Sequence, residues 1–414
     1  MFDLKGEYSS AKVFTDLADD KTIGQVLGFL NSPITENQRV RIMPDCHAGA
    51  GCVIGTTMTI GDKLCPNVVG VDIGCGMLVV ELKNEKLDLN KADDACHLIP
   101  SGHDTWEDKG ITTSDFWQEW LKEDADSFIS RLKCKDYLKS ISRLENSLGS
   151  LGGGNHFIEF NKDDEGNLYL VIHSGSRNLG KQVAEYYQEL AFQDMNDFRG
   201  EMNKVIDDLK AQGKYKEIQK AIEDMKASAP KYSKETAYLK GEHLNDYLHD
   251  MRLCQEFASA SRKVMANEIL KYIFGIDKFY NHYTWFETVH NYINFNDHIL
   301  RKGAVSANKN EKLIIPMNMR DGSLICVGKG NHDWNYSAPH GAGRLMSRGE
   351  AKEKISLEEY ERSMEGIFST SVNTSTIDEA PMVYKPMDSI IQNIQDTVEI
   401  IKIIKPIYNF KASD

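Results

Sequence analysis

A mixed α/β fold is predicted by this sequence: one domain with a charged helical insertion and its active site at the ends of central strands. Three observations predict it. Short apolar runs rich in Val, Ile and Leu recur along the chain, and several stop beside glycine, serine or asparagine at an aspartate, a cysteine or a histidine. That is the pattern of a buried strand whose end carries chemistry. A long charged stretch of helical character, rich in Lys and Glu, fills residues 180–275. No internal repeat, low-complexity tract or clear linker divides the 414 residues. One domain over 1–414, with an insertion at about 195–262, therefore accounts for the chain better than two independent domains.

Composition narrows the class. Apolar residues make up 41% and charged residues 27%, as in soluble globular proteins. No apolar run approaches the ~20 residues of a membrane span. The opening Met1-Phe-Asp-Leu-Lys-Gly lacks the basic, apolar and small-residue succession of a signal peptide. Eight scattered cysteines without a Cys-x-x-Cys pair fit a reducing compartment, so a cytoplasmic location is expected. The net charge of −13 argues against a non-specific nucleic-acid coat protein but leaves room for a local basic groove.

Taken in order, the chain first offers a helix over Ile23–Leu30, then Arg41-Ile-Met-Pro-Asp-Cys-His-Ala-Gly on an extended segment. Asp45 there is either part of a polar turn or a carboxylate placed to orient an imidazole elsewhere. Val68, Val69 and Val71 read as a strand leading into Asp72, with Cys75 three residues on between Gly74 and Gly76. A carboxylate and a thiolate so spaced can reach one metal ion, although a buried free cysteine beside a turn aspartate fits equally well in isolation. Residues 83–139 read as core and surface, with His97 and His103 structural.

Leu148-Gly-Ser-Leu-Gly-Gly-Gly-Asn-His is a glycine-rich loop ending at Asn155 and His156, followed by a strand through Glu159. It lacks the Gly-Lys-Ser/Thr of a Walker loop and the Gly-x-Gly-x-x-Gly setting of a dinucleotide fold. A second strand, Leu168 to His173, turns through Ser-Gly-Ser-Arg into a helix near Asn178, putting Arg177 where phosphate contacts occur. His243 and His249 read as surface or packing residues. His290 and Asn291 follow another strand, Arg301-Lys302-Gly-Ala reads as a basic turn, and two more strands begin near Leu313 and Gly322. His340 precedes Gly341-Ala342-Gly343, and a helix starting there would put Arg344 and Arg348 on one face beside a polyphosphate. The tail reads as a helix over Ile390–Ile404.

Asp72, Cys75, His156, His173 and His290 together form an O, N and S donor set suited to one or two divalent transition ions, with a thiolate able to bridge two. The donors alone do not choose the metal. His340, among glycines and arginines, is a candidate nucleophile, since a neutral imidazole can attack phosphorus.

Taken together, Met43-Pro-Asp-Cys-His-Ala-Gly, Val69-Gly-Val-Asp-Ile-Gly-Cys-Gly-Met, Leu151-Gly-Gly-Gly-Asn-His-Phe-Ile-Glu, His173-Ser-Gly-Ser-Arg, His290-Asn-Tyr, Arg301-Lys-Gly-Ala and His340-Gly-Ala-Gly-Arg-x-Met-Ser-Arg carry a specific resemblance. In that order, over nearly the whole chain, they resemble the RtcB-type RNA ligases. The resemblance implies that family's α/β fold and a GTP- and Mn-dependent ligase. It would join RNA 3′-phosphate or 2′,3′-cyclic phosphate ends to 5′-hydroxyl ends in RNA repair or tRNA splicing. Asp72, Cys75, His156, His173 and His290 then match ligands of two Mn²⁺ ions, with Cys75 bridging. His340 matches the guanylylated histidine and Asp45 its orienting carboxylate. Asn155, Glu159, Tyr384 and Lys411 match nucleotide contacts, and Asn291, Gly341, Ala342, Gly343 and Arg344 join that set. Arg177, Lys302 and Arg348 match positions that hold phosphate or RNA. An archease-type activator is a partner the resemblance leaves open, and no membrane partner is implied.

This sequence departs from the family at Met317-Asn318-Met319, where relatives commonly carry Gly-Ser-Met, at Ala50, and at the Lys411-Ala-Ser-Asp end. Two other readings compete. A binuclear-metal phosphodiesterase would use the same ligands with water as nucleophile and would need no His340 element. A non-catalytic RNA- or ribosome-associated factor would tolerate a damaged ligand set, whereas all five ligands and His340 are present.

Overall fold

Near-continuous apolar runs set the architecture: successive side chains point to opposite faces of a strand, so such a run gives each central strand two faces to bury. The computed structural model describes residues 1–228 and 232–412. Its strands in chain order are β1 Phe2–Lys5, β2 Ser10–Val13, β3 Val40–His47, β4 Ile54–Thr59, β5 Lys63–Leu64, β6 Gly76–Lys83, β7 Phe157–Lys162, β8 Leu168–Ser174 and β9 Leu239–Lys240. They continue with β10 Thr284–Val289, β11 Asn291–Asn294, β12 Ile299–Lys302, β13 Ala304–Ser306, β14 Lys312–Asn318, β15 Gly322–Gly328, β16 Ser337–Pro339 and β17 Val398–Lys411. Helices are interspersed among these strands along the chain, so the mixed α/β expectation holds.

Two sheets matter for the site. A seven-stranded antiparallel sheet runs β10-β6-β8-β7-β17-β15-β14, and a six-stranded sheet runs β1-β2-β3-β4-β12-β11. On one face of the larger sheet Leu78, Val80, Ile158, Phe160, Leu170 and Ile172 pack against Met265, Ala266, Ile269 and Leu270 of the 34-residue helix Gly241–Phe274. On the other face Met77, Val79, Tyr169 and Val171 meet Ile314, Ile325 and Ile404 from the far strands, so the sheet curls onto itself. His290 is the single residue between β10 and β11, where the chain passes from one sheet into the other.

Five sequence expectations are corrected. The strand through Val68 and Val69 is a helical turn, Pro66–Val69, started by Pro66 at its first position and ended at Gly70; the strand begins only after Cys75. Arg301-Lys302-Gly-Ala is not a basic turn but the end of β12 and the start of β13, with Gly303 at positive φ between them. Arg344 and Arg348 do not share a helix. Arg344 forms an isolated bridge with Tyr384, and a helix starts only at Arg348, where Ser347 and Glu350 make a capping box. Ile390–Ile404 is not one helix. The helix Met387–Ile394 ends before a turn, and the β-branched run from Val398 enters β17. Finally, of the expected insertion at about 195–262, the charged exposed part is the helices Arg199–Ala211 and Ile218–Ser228. From Gly241 the chain is core, with Tyr247, Met251, Leu253, Cys254 and Phe257 buried.

Candidate active site

Strand register brings the donor residues to one edge. Met77 of β6 and Phe157 of β7 both face His173 on β8, and Val289 of β10 faces Gly76. Cys75, His156, His173 and His290 therefore stand together at the same strand ends, as expected. Gly175 lets Asp72 join them, since a Cβ there would sit 2.1 Å from Asp72 Oδ1.

The donor atoms form a chain. Asp72 Oδ2 lies 3.4 Å from His156 Nε2, which lies 3.4 Å from Cys75 Sγ. Sγ is 3.2 Å from His173 Nε2, and that nitrogen is 3.3 Å from His290 Nε2. The ligating atoms of Cys75, His156 and His173 lie within 4.8 Å of one another, and all three residues are buried. Burial holds the imidazoles of His173 and His290 well below the ordinary histidine range, so both stay neutral. His173 Nδ1 faces the Asn155 carbonyl at 3.2 Å, which fixes its hydrogen there and leaves Nε2 its lone pair. Burial, and then Asp72, push the Cys75 thiol well up in pKa. A neighbouring cation is what would release that proton. The buried Nδ1 atoms of His156 and His290 have no partner among the described residues. Imidazole nitrogens of His156 and His173 converging on one thiol, with the Asp72 carboxylate at one end, form a donor set that fits a divalent transition ion.

His340 stands one ring beyond this chain, its centroid 5.1 Å from that of His290. Its Nδ1 lies 2.6 Å from Asp45 Oδ2, and the same oxygen accepts the His340 backbone N–H at 3.2 Å. Asp45 is fully buried. A carboxylate so placed holds the imidazole hydrogen on Nδ1 and leaves the Nε2 lone pair free. Two further features hold Asp45 in place. Gly343, at φ +75°, lets its loop pass where a Cβ would come within 2.2 Å of the Asp45 carbonyl oxygen. Lys385 is 4% exposed and donates to the carbonyls on either side of Asp45, Pro44 at 3.1 Å and Cys46 at 3.2 Å.

A cavity of about 250 Å³ opens beside His340. Asn155, Glu159, Gly341, Ala342, Gly343, Arg344, Arg348, Tyr384 and Lys411 line it together with His173, His290, Phe157, Met317 and Asn318. Glu159 is 3% exposed, and burial raises its pKa to about 7 against the opposing hydrogen bonds from Asn409 (2.6 Å) and Asn161. At the other wall, Glu379 gathers Lys411 Nζ at 2.8 Å, Tyr384 Oη at 2.6 Å, Arg344 at 3.2 Å and Arg348 at 3.3 Å. Arg348 also reaches Asp378 at 2.7 Å. Burial favours the neutral acid, but Lys411 and Arg348 outweigh it and hold Glu379 down to about 2.

Three expected contacts lie apart from the cavity lining. Asn291 accepts the Gly303 N–H at 2.9 Å and so braces the turn beneath His340. Lys302 is 7% exposed and spends its ammonium on the Ala50 and Asn67 carbonyls. Arg177 is partly buried and donates to Ser150 Oγ at 3.0 Å and the Gly102 carbonyl at 2.7 Å, holding the loop before His156. Sequence reasoning missed Glu379, Asp378, Asn409 and Lys385. The acidic pair at 378–379 was the only visible signal, and nothing in its spacing distinguishes it from an ordinary polar tail.

Comparison with known proteins places this geometry. Residues 31–412 match the family model described as tRNA-splicing ligase RtcB. The RNA-splicing ligase RtcB of Escherichia coli K12 is 30% identical over 91% of this chain and 90% of its own length. RNA-splicing ligase RtcB1 from another E. coli strain is 28% identical over 91% of this chain and 90% of its own length. The tRNA-splicing ligase RtcB of Pyrobaculum aerophilum is 24% identical, covering 85% of this chain and 82% of its own length.

Proposed function

The chain belongs to the RtcB family, and from that premise we propose that it is a GTP- and Mn²⁺-dependent RNA ligase. It joins RNA 3′-phosphate or 2′,3′-cyclic phosphate ends to 5′-hydroxyl ends. The observation that carries this reading is His340 held by Asp45 at 2.6 Å, between the donor chain and the cavity.

The residues divide the work. With its hydrogen on Nδ1 shared with Asp45, His340 attacks the α-phosphorus of GTP through Nε2. A P–N bond forms, and the bond to the β-phosphate oxygen breaks with release of pyrophosphate. Asp45 stabilises the imidazolium character that develops. An oxygen of the RNA 3′-phosphate then attacks the same phosphorus, the P–N bond breaks, and RNA-(3′)pp(5′)G forms. The 5′-hydroxyl of the second RNA attacks the 3′-phosphorus, loses its proton, and GMP leaves. Asp72, Cys75, His156, His173 and His290 would hold two Mn²⁺ ions, which would supply Lewis-acid polarisation of the phosphates.

Asn155, Glu159, Tyr384, Lys411 and the Gly341–Arg344 segment hold the nucleotide, and Arg348 at the cavity wall meets phosphate. Lys302 and Arg177 act from behind, by bracing backbone. A 2′,3′-cyclic phosphate is opened in the same site first. The setting is RNA repair or tRNA splicing in the cytoplasm. The test is sealing of two oligoribonucleotides, one with a 3′-phosphate and one with a 5′-hydroxyl. Joining that needs both GTP and Mn²⁺ and is lost in His340→Ala supports the reading. Hydrolysis without joining would favour a metal phosphodiesterase.

A further inference from the structure

The long helix Gly241–Phe274 carries an arginine that sequence reasoning left at the edge of the charged insertion. Arg262 is 1% exposed. Its Nη1 donates to two backbone carbonyls at once, Gly74 at 3.0 Å and Ser174 at 2.8 Å. Its Nε donates to Glu287 Oε1 at 2.9 Å. Glu287 is itself held, through Oε2, by Ser259 Oγ at 2.6 Å and Lys263 at 3.4 Å.

Two of these partners adjoin a donor, and the third lies on the strand that leads to one. Gly74 precedes Cys75, Ser174 follows His173, and Glu287 lies on β10 three residues before His290. Cys75 and His173 arrive from different segments yet place Sγ and Nε2 3.2 Å apart. His290 is bound into the same group, donating its backbone N–H to the Cys75 carbonyl at 2.9 Å. A buried ion pair is costly to desolvate, and an apolar pair would fill the same space at no loss of stability. What an apolar pair cannot do is bond two carbonyls and a carboxylate from one rigid planar group. A lysine ammonium is a poor substitute, because it lacks the fixed fork.

We propose that Arg262, oriented by Glu287, is the positioning residue of the metal centre: it clamps the segments bearing Cys75, His173 and His290 so that their donor atoms converge. The inference rests on the metal-binding reading of those donors. Groups behind a ligand set are known to govern affinity, typically by 10–100-fold.

The test is a Co²⁺ titration of the full chain, followed by the near-ultraviolet thiolate-to-cobalt band and by competition with a chelator. Arg262→Lys and Glu287→Gln are compared with wild type and with Asp250→Asn. Asp250 is another buried charge on the same helix, and it caps Lys133 and Cys134 N–H groups away from the donors. Thermal unfolding in chelator reports the fold separately.

The clamp predicts that Arg262→Lys lowers Co²⁺ affinity by about 10–100-fold and weakens the thiolate band. Glu287→Gln, which keeps the acceptor and loses the charge, lowers affinity by less. Asp250→Asn lowers the melting temperature without changing Co²⁺ affinity. If Arg262→Lys fails to fold, Glu287→Gln carries the test alone. Wild-type affinity and band in the folded Arg262 and Glu287 variants, or losses no larger than that of Asp250→Asn, overturn the clamp while leaving the metal site standing. Absence of Co²⁺ binding by wild type overturns both.

Discussion

The donor chain and the wall around Glu379 border the same cavity and are built in opposite ways. Asp72, Cys75, His156, His173 and His290 come from the ends of neighbouring strands in one sheet, or from the turns just beyond them, and the register of β6, β7, β8 and β10 aligns them. The wall around Glu379 comes from a bridge at Arg344, a helix start at Arg348, two short 3₁₀ turns and the end of β17. There the long-range order is supplied by one buried carboxylate and the four side chains on it. Hydrogen-bonded register places atoms through the backbone, whereas an ion cluster places them through charge balance. The two regions should fail differently when broken.

The largest effect belongs to the hinge between them. Asp45→Asn keeps the shape of the side chain but releases the Nδ1 hydrogen that fixes His340. Nucleotidyl transfer is expected to fall by about 10²–10⁴-fold, read as the single-turnover rate of pyrophosphate release, with the melting temperature little changed. Next comes Glu379→Gln. It leaves the buried Lys411 and two arginines without their shared counter-charge, so the fold should lose about 3–5 kcal/mol, measured by denaturant unfolding, and nucleotide binding should weaken. A donor-chain variant such as His173→Asn should lose metal binding while costing the metal-free fold less than Glu379→Gln does.

Glu159 sharpens the comparison through pH. Burial raises its folded-state pKa from 4.5 to about 7. Between those values the unfolded chain has already lost a proton that the folded chain keeps, so stability falls as pH rises and the penalty is complete above about pH 7. Glu159→Gln removes this dependence. Its stability relative to wild type should rise by up to about 3 kcal/mol from pH 4.5 to pH 7.5, measured by urea unfolding across that range. The smallest effect is expected from Lys352→Ala. This half-exposed ammonium reaches Asp378 at 3.7 Å, and its loss should cost less than about 1 kcal/mol. A larger loss would mean the cluster extends to the surface.

The same contrast explains what could be read from residues alone. Every donor was visible, because each sits where an apolar run stops beside glycine, serine or asparagine, and strand ends bring such positions together. Pro66, however, nucleates a helical turn where the valines suggest a strand. The Ile390–Ile404 run changes from helix to strand at a turn that apolar periodicity does not mark. Lys302 and Arg262 show a further gap. A cation in a sequence suggests a solvent-facing or phosphate-binding group, yet both are buried on backbone carbonyls. Glu379 was illegible because its three cationic partners lie 31 to 35 positions away on one side and 32 on the other.

The proposed chemistry turns on His340 as a nucleophile. Mass spectrometry of the full chain after incubation with GTP and Mn²⁺, followed by peptide mapping, tests it most directly. A GMP adduct on His340, absent from His340→Ala and strongly reduced in Asp45→Asn, is the predicted result. No adduct with GTP, ATP or any divalent metal, or an adduct that persists in His340→Ala, would contradict it.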